Sequence, residues 1–184
     1  TSRRQRNSFS LMTLLERWYH RLVARFGPQH WWPGHTRWEI AAGAVLTQNT
    51  NWRNVEQAIA RLRAARRLTA RATVACPRAA LADLIRPAGY FNVKAARLQA
   101  LAAWWVHRHR WAARPATATA ALRASLLAVH GIGPKTIDYF KILCGEQDTA
   151  AIDMHLTRFL EQAGVRVTSY EQARGVIAGA AAEL

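Results

Sequence analysis

The stretch LLAVHGIGPKTIDYF, residues 126–140, interrupts a helical pattern with a short turn rich in glycine. Apolar residues recur at helical spacing on both sides of Gly131-Ile132-Gly133-Pro134, which predicts two helices joined by a hairpin. Proline suits the first position of a helix, and the glycine turn leaves backbone N–H groups uncovered near the positive helix end. Such a turn binds a phosphate oxygen without reading base sequence. A glycine that only caps the first helix would give the same pattern.

The residue that follows this turn, Lys135, is of a type that the chain seldom uses. Of its 26 basic residues, only Lys94, Lys135 and Lys141 are lysine. Arginine also binds phosphate but stays protonated, whereas a lysine amine can lose its proton and attack carbon. The positive end of a helix disfavours the ammonium form. Lys135 is therefore a candidate nucleophile, and simple phosphate binding is the alternative.

Outside the hairpin, the chain shows helical periodicity nearly throughout. No stretch sustains the alternation of apolar and polar residues that is typical of strands. Gly27-Pro28 and Pro87-Ala88-Gly89 are predicted to end helices, and Asn51 and Asn92 to cap them. The pattern predicts an all-α protein of about nine helices with short loops.

The net charge of +15 is distributed unevenly along the chain. Between Leu84 and Ile137 there is no Asp or Glu. The same stretch contains eight basic residues: Arg86, Lys94, Arg97, Arg108, Arg110, Arg114, Arg123 and Lys135. An ordinary solvated surface mixes both signs, so a stretch of one sign favours a polyanionic partner. A merely basic, arginine-rich surface is the alternative.

Several other classes of protein do not fit the sequence. No apolar run approaches the roughly 20 residues that span a membrane, and the basic N-terminus does not lead into a signal peptide. Cys76 and Cys144 lie far apart, and neither they nor the seven histidines show metal-ligand spacing. We therefore predict a cytoplasmic, nucleoid-associated protein of a bacterium, with no membrane partner.

Three further segments extend the hairpin into a longer pattern. AAIDMHLTRFL, residues 150–160, places Asp153 after Lys135 with seventeen residues between them. WWPGHTRWEIAAGAVLTQNTNWRNVEQAI occupies residues 31–59, and AGYFNVKAARL occupies residues 88–98. In this order, the four motifs resemble the helix-hairpin-helix (HhH-GPD) DNA glycosylases over roughly residues 14–165. The hairpin is similar to that of endonuclease III, and residues 31–59 are similar to the 3-methyladenine glycosylase III branch.

The resemblance implies a fold of two helical lobes with the helix-hairpin-helix motif at the cleft. A six-helix barrel would comprise residues 29–147, with the motif at about 122–144. A second lobe would combine residues 1–28 with residues 148–184.

The resemblance also assigns catalytic roles, because Lys135 and Asp153 fall on the catalytic lysine and aspartate of the family. A carboxylate near C1′ of the sugar offsets the positive charge that develops as the base leaves. A lysine amine that attacks C1′ forms a Schiff base, which permits elimination of the 3′ phosphate. For Asp153, a role as a helix N-cap is the alternative.

The remaining site residues also follow from the resemblance. Gln48 would fill the gap left by a flipped base and Tyr90 would wedge the duplex; a polar helix end and a half-buried loop aromatic are the alternatives. The DNA-binding residues implied are Gly131, Ile132, Gly133, Thr136, Gln48, Tyr90, Asn92 and Lys94. The pocket candidates are Trp31, Trp32, Trp52, Tyr139 and His155, with core packing as the alternative for the tryptophans. A monovalent cation, Na⁺ or K⁺, would be held by carbonyl oxygens of Val129, Gly131 and Ile132.

The function that these features predict is a base-excision DNA glycosylase with AP lyase activity. Its partner would be double-stranded DNA with a damaged base or an abasic site, and it would act as a monomer. No cofactor is expected, because the iron–sulfur cysteines of endonuclease III are missing. His130 also departs from the proline that is usual before the hairpin glycines. A monofunctional alkylpurine (3-methyladenine-type) glycosylase and a non-catalytic helix-hairpin-helix DNA-binding protein are the alternatives.

Overall fold

The computed structural model describes residues 16–28, 34–107, 120–143 and 150–182. Regular structure within these ranges is helical and includes no strand, which confirms the all-α class. By its contacts, the chain divides into two compact units, Gly34–Glu146 and Thr1–Pro33 together with Gln147–Leu184. None of the described helices is long and apolar enough to cross a membrane.

The helices are numbered in chain order. They are α1 (residues 16–26), α2 (Arg37–Leu46), α3 (Trp52–Ala64), α4 (Ala70–Val74), α5 (Arg78–Leu84), α6 (Phe91–His107), α7 (Ala120–Leu127), α8 (Pro134–Leu143), α9 (Met154–Gln162) and α10 (Tyr170–Ala182), with a 3₁₀ turn at Arg86–Ala88. The predicted helix start at Pro134 is confirmed. The short helix α4 was not predicted, since five residues are too few to show a periodic pattern.

Polar caps explain where several helices begin. Asn51 accepts a hydrogen bond from the N–H of Asn54, so the predicted cap of α3 is confirmed. The predicted cap at Asn92 is wrong, because α6 already begins at Phe91. The break before α6 occurs as predicted, with Gly89 in the left-handed region at φ +68°.

Helix α6 is central to the unit Gly34–Glu146. It packs against α2, α4 and α5, and its buried stripe consists of Lys94, Leu98, Leu101 and Trp105. The Trp105 ring meets Trp38 of α2 and Phe140 of α8 edge-on, with 5.5 Å between ring centroids in both pairs. Aromatic pairs in this geometry add to the free energy of area burial. This packing ties the hairpin helix α8 to α2 and α6.

A buried ion pair joins the two helices of the hairpin. Asp138 of α8 is 0% exposed, and its carboxylate accepts bonds of 2.6 and 3.3 Å from the Arg123 guanidinium of α7. Because this bond is made at a fully buried carboxylate, the pair favours the observed packing of α7 against α8.

The other unit has its own small core. Ile152, Leu160 and Ala173 are buried there at the start of α9, within α9 and within α10. Asp153 caps α9, and Ser169 Oγ accepts from the Gln172 N–H at the start of α10. Trp18 of α1 is 46% exposed and does not belong to this core.

Candidate nucleic-acid interface and active site

The turn at residues 131–133 exposes backbone donors beside the N-terminus of α8. The Ile132 N–H donates to the Val129 carbonyl oxygen at 3.1 Å, and the N–H groups of Thr136 and Ile137 donate to the Gly133 carbonyl oxygen. Within the described ranges, no acceptor is seen for the N–H of Gly131, Gly133 or Lys135. Unsatisfied N–H groups at a helix start form an anion-binding site.

Different physical requirements explain why glycine stands at each of the two positions of the turn. Gly131 has φ +78°, and a Cβ at this position would overlap the Arg97 side chain, so glycine is required by the fold itself. Gly133 does not have a positive φ, and an added Cβ would meet nothing within 4 Å. The fold therefore gives no reason for glycine at 133, whereas close approach of a ligand to the backbone would.

Lys135 is the second residue of α8 and its side chain is exposed. Among the described residues, its ammonium makes no hydrogen bond or ion pair. Lys135 stands at the surface as a cation available to a ligand.

A pocket of about 380 Å³ lies beside Lys135. It is lined by Ala44, Thr47, Gln48, Asn49, Arg97, Gly133, Lys135, Thr136 and Tyr139. Among its lining residues, Thr47 Oγ1 and Arg97 Nε are buried without a hydrogen-bond partner among the described residues. Buried polar atoms in proteins are normally paired, so these two are exceptions next to the pocket.

Gln48 is bonded to the hairpin across this pocket. Its Nε2 donates to the Gly131 carbonyl oxygen at 3.3 Å and to Thr136 Oγ1 at 3.2 Å. Its Oε1 accepts from Arg97 Nη1 at 2.5 Å. The structure thus brings Gln48, Thr136, Tyr139 and Lys135 together, as the motifs suggested. Arg97 was not predicted as a site residue, although it lies in the quoted segment 88–98, three residues after Lys94.

Tyr90 is the most exposed aromatic side chain that the structure describes in this unit. It is 69% exposed and has φ +47°, directly after Gly89 at φ +68°. A bulky residue rarely adopts a positive φ, and such strain tends to persist at functional positions. These features agree with a wedge role and contradict the alternative of a half-buried aromatic.

The prediction that Lys94 binds DNA is wrong. Lys94 is 1% exposed, and its Nζ donates to the carbonyl oxygens of Leu46 at 2.8 Å and Ala88 at 2.6 Å. Burial, and secondarily the charge of Arg97, lower the pKa of Lys94 from 10.5 to about 8. A side chain enclosed in this way has no access to phosphate.

Three other predictions need correction or restriction. Ile132 is 6% exposed and its N–H is used within the turn, so neither its side chain nor its N–H can bind DNA. Trp52 packs on the core and donates to Glu56 Oε1 at 2.9 Å, and it does not line the pocket. Asn92 is exposed in the first turn of α6, and its contact with DNA stays a prediction. Trp31 and Trp32 lie outside the described residues.

Asp153 is the N-cap of α9 in the unit that contains residues 147–184. Its Oδ1 accepts from the N–H groups of His155 and Leu156, both at 2.9 Å. No described residue donates to Oδ2, and the side chain is half-buried. The capping role is therefore real, and it leaves one carboxylate oxygen for a ligand. His155 is exposed, and its N–H is part of this cap.

In the folded protein, carboxylates from outside the acid-free stretch, residues 84–137, neutralise part of its positive charge. Arg86 pairs with Asp83 at 2.5 Å, and Arg123 pairs with Asp138. Both carboxylates lie one residue outside the stretch. Lys94 is buried, and Arg108, Arg110 and Arg114 lie outside the described residues. Of the basic residues that the structure describes in this stretch, Arg97 and Lys135 remain at the pocket.

The carbonyl oxygens named for a monovalent cation include two that keep a lone pair, and the cation site itself stays a prediction. The carbonyl oxygens of Val129 and Gly131 each accept one hydrogen bond, from Ile132 and Gln48, and a carbonyl oxygen has two lone pairs. Among the described residues, no three His, Cys, Asp or Glu side chains cluster as metal ligands.

Comparison with known proteins places this arrangement in a family. The model of the HhH-GPD superfamily, base excision DNA repair proteins, matches residues 42–175. A Methanocaldococcus jannaschii protein, whose name presents it as an inferred DNA repair glycosylase, is 35% identical over 150 residues. The match covers 80% of this chain and 68% of that protein.

Solved structures are similar as well. The H. pylori 3-methyladenine DNA glycosylase MagIII, bound to 1,N6-ethenoadenine, has a TM-score of 0.77 at 25% identity, over 96% of this chain and 82% of that one. A trapped endonuclease III–DNA covalent intermediate and a non-covalent endonuclease III–DNA complex each have a TM-score of 0.73 at 20% identity, over 90% of this chain and 76% of theirs. At 20% identity, the likeness concerns the fold.

Proposed function

This chain belongs to the HhH-GPD superfamily of base excision DNA repair proteins and is a DNA repair glycosylase of that family; from this premise we propose that it also acts as an AP lyase. In this proposal, Lys135 is the nucleophile and Asp153 assists release of the base. The substrate is double-stranded DNA that contains a damaged base or an abasic site. The enzyme acts as a monomer, and carbonyl oxygens at the hairpin hold Na⁺ or K⁺.

The observation that supports lyase chemistry best is the placement of Lys135. It is exposed at the second position of α8 and lines the pocket with Gln48 and Tyr139. The free N–H groups of Gly131 and Gly133 bind a phosphate and so fix the strand beside the amine. Bound DNA then excludes water from Lys135, which favours the neutral, nucleophilic amine.

In the proposed reaction, each bond that breaks at a sugar carbon is balanced by a bond that forms. The Nζ–C1′ bond forms as the glycosidic C1′–N bond breaks, and the base leaves with the electron pair and takes up a proton. Nζ then loses a proton, and its lone pair expels the ring oxygen O4′ of the sugar, which takes up a proton. The resulting iminium makes a proton at C2′ acidic. Loss of that proton expels the 3′ phosphate, which cleaves the strand.

Asp153 supplies the negative charge in this proposal. Its Oδ1 is committed to the helix cap, while Oδ2 has no described donor. In this proposal, the carboxylate stabilises the positive charge that develops on the sugar in the transition state. The cap itself holds the side chain in one rotamer, which preorganises the charge.

A monofunctional glycosylase is the second candidate. The observation that favours it is the likeness to the 3-methyladenine glycosylase, which has a higher TM-score and identity than the two endonuclease III complexes. In this candidate, Lys135 binds phosphate, water attacks C1′, and the base removed is an alkylated purine.

The two candidates are separated by assaying base release and strand cleavage independently. Duplexes that each carry one lesion, together with a preformed abasic site, are incubated with the wild-type protein and with borohydride, which traps a Schiff base. We expect strand cleavage and a covalent adduct. The control is Lys135→Arg, which keeps the positive charge but stays protonated; it should bind DNA and form no adduct.

Base release by the wild-type protein without trapping would leave the monofunctional candidate. DNA binding without base release from any duplex would favour a non-catalytic DNA-binding protein.

A further inference from the structure

Lys94 is the largest side chain among the fully buried residues described, and its Nζ bonds the backbone of two segments, the end of α2 with the turn that follows it (residues 46–50, the Gln48 turn) and the 3₁₀ turn with the two residues after it (residues 86–90, the Tyr90 turn). The Leu46 carbonyl lies at the C-terminus of α2, two residues before Gln48. The Ala88 carbonyl ends the 3₁₀ turn, two residues before Tyr90. The Lys94 backbone N–H adds a bond of 2.9 Å to the Tyr90 carbonyl oxygen.

Filling this space with a buried ammonium group costs free energy of desolvation. Leu46 and Ala88 are both 0% exposed, so the ammonium and its two acceptors are removed from water together. An apolar side chain on the inner stripe of α6 would pack without any charge to desolvate. The bonds to the two carbonyl oxygens, and not packing alone, therefore explain a lysine at this position.

Each of the two carbonyl groups that Lys94 bonds is followed within three residues by a residue with positive φ. Asn49, directly after Gln48, has φ +52°, and Tyr90 has φ +47°. A strained backbone of this kind persists only where the surroundings hold it in place. Lys94 supplies that restraint to both turns from a single atom, Nζ.

We propose that Lys94 is a positioning residue that joins the Gln48 turn to the Tyr90 turn, so that the gap-filling and wedging side chains enter the duplex with a fixed separation. This inference rests on the proposed roles of Gln48 and Tyr90 in base flipping. It predicts that Lys94 matters where a base must be extruded from a stack and matters little where the target is already unpaired.

The variant that tests this is Lys94→Met, which keeps length and apolar contacts but removes every donor. Base release is measured on one lesion in duplex and in single-stranded DNA. The ratio of the two rates should fall about ten- to a hundredfold, the scale of loss when positioning shifts by about 1 Å. The fluorescence of 2-aminopurine opposite a tetrahydrofuran abasic-site analogue should also rise less than with the wild-type protein at saturation.

The matched control is Leu81→Ala, a core truncation in α5 of the same unit. It lowers stability by removing buried apolar volume but removes no hydrogen bond to the Leu46 or Ala88 carbonyl oxygen, so the ratio should stay at the wild-type value. Equal losses on both substrates for Lys94→Met, or a ratio that falls equally in Leu81→Ala, would overturn the proposal. If the methionine variant does not fold, Lys94→Gln keeps two donors on a shorter arm and should lower the ratio less. Failure of both Lys94 variants to fold, while Leu81→Ala folds, assigns Lys94 a purely structural role.

A wild-type protein that releases base from neither substrate would contradict the proposed function instead of this inference. The 2-aminopurine signal keeps the two cases apart, because it needs no catalysis.

Discussion

Helices α6 and α8 each carry a lysine in the first turn, and the two lysines lie in opposite surroundings. Lys94 falls on the inner stripe of α6, four residues before Leu98, and it is 1% exposed. Lys135 lies two residues before the buried Ile137 of α8, a spacing that places it on another face, and it is exposed. Register against the apolar stripe, and not residue type or local charge, decides which lysine can meet DNA.

The largest effect should come from removing the outward-facing lysine. Lys135→Ala should lower strand cleavage at a preformed abasic site by about 10⁴-fold or more, since the proposed nucleophile is lost. Its free energy of unfolding should stay within about 0.5 kcal/mol of wild type, because an exposed, unpaired side chain is removed. Cleavage assays and urea denaturation measure the two quantities. A variant that cleaves normally would show that Lys135 is only a phosphate ligand.

Asp153→Asn should separate charge from helix capping. Asparagine is as good an N-cap as aspartate, so α9 should remain and stability should hardly change. Base release should fall by about 10²–10⁴-fold, because the carboxylate no longer stabilises the developing charge on the sugar. Single-turnover base release and circular dichroism are the measurements. Unchanged base release would leave Asp153 with the capping role alone.

Titration of the buried Lys94 should be measurable as a pH dependence of the free energy of unfolding. Its pKa is about 8 in the folded protein, against an ordinary 10.5. Between these values, the unfolded chain retains a proton that the folded chain has lost, so stability rises with pH. Relative to Lys94→Met, the wild-type free energy of unfolding should rise by at most about 3 kcal/mol across this window and be flat below it. Equal slopes for both proteins would mean that Lys94 titrates normally.

Substitutions at the two hairpin glycines should give the smallest effects, and each should change a different property. Gly131→Ala should cost about 2 kcal/mol of stability, from strain at φ +78° and overlap with Arg97. Gly133→Ala should leave stability unchanged, because nothing in the fold occupies the space, but should weaken duplex binding about tenfold through about 1.4 kcal/mol of lost phosphate contact. Thermal denaturation and binding isotherms at fixed salt separate the two. A Gly133→Ala variant that binds normally would remove phosphate from the role of this turn.

Some errors of the sequence interpretation were avoidable. Lys94, Leu98, Leu101 and Trp105 recur at helical spacing, so the pattern itself places Lys94 on the buried face of α6. The polyanion hypothesis counted charges by position along the chain. The ion pair between Arg123 and Asp138 shows that a carboxylate one residue beyond the acid-free stretch can neutralise a charge within it.

Local chemistry was determined by the sequence alone. The glycine turn, the helix start at Pro134, the Asn51 cap and the all-helical class depend on residues a few positions apart, whose interactions hold in almost any context. Burial and partnership were decided by the tertiary structure. The Leu46 carbonyl that Lys94 bonds lies 48 positions away, and the Gly131 carbonyl that Gln48 bonds lies 83 positions away. Such contacts exist only when α2, α6 and α8 pack, because the packing of distant helices, and not any local preference, sets which polar atoms meet and which remain exposed.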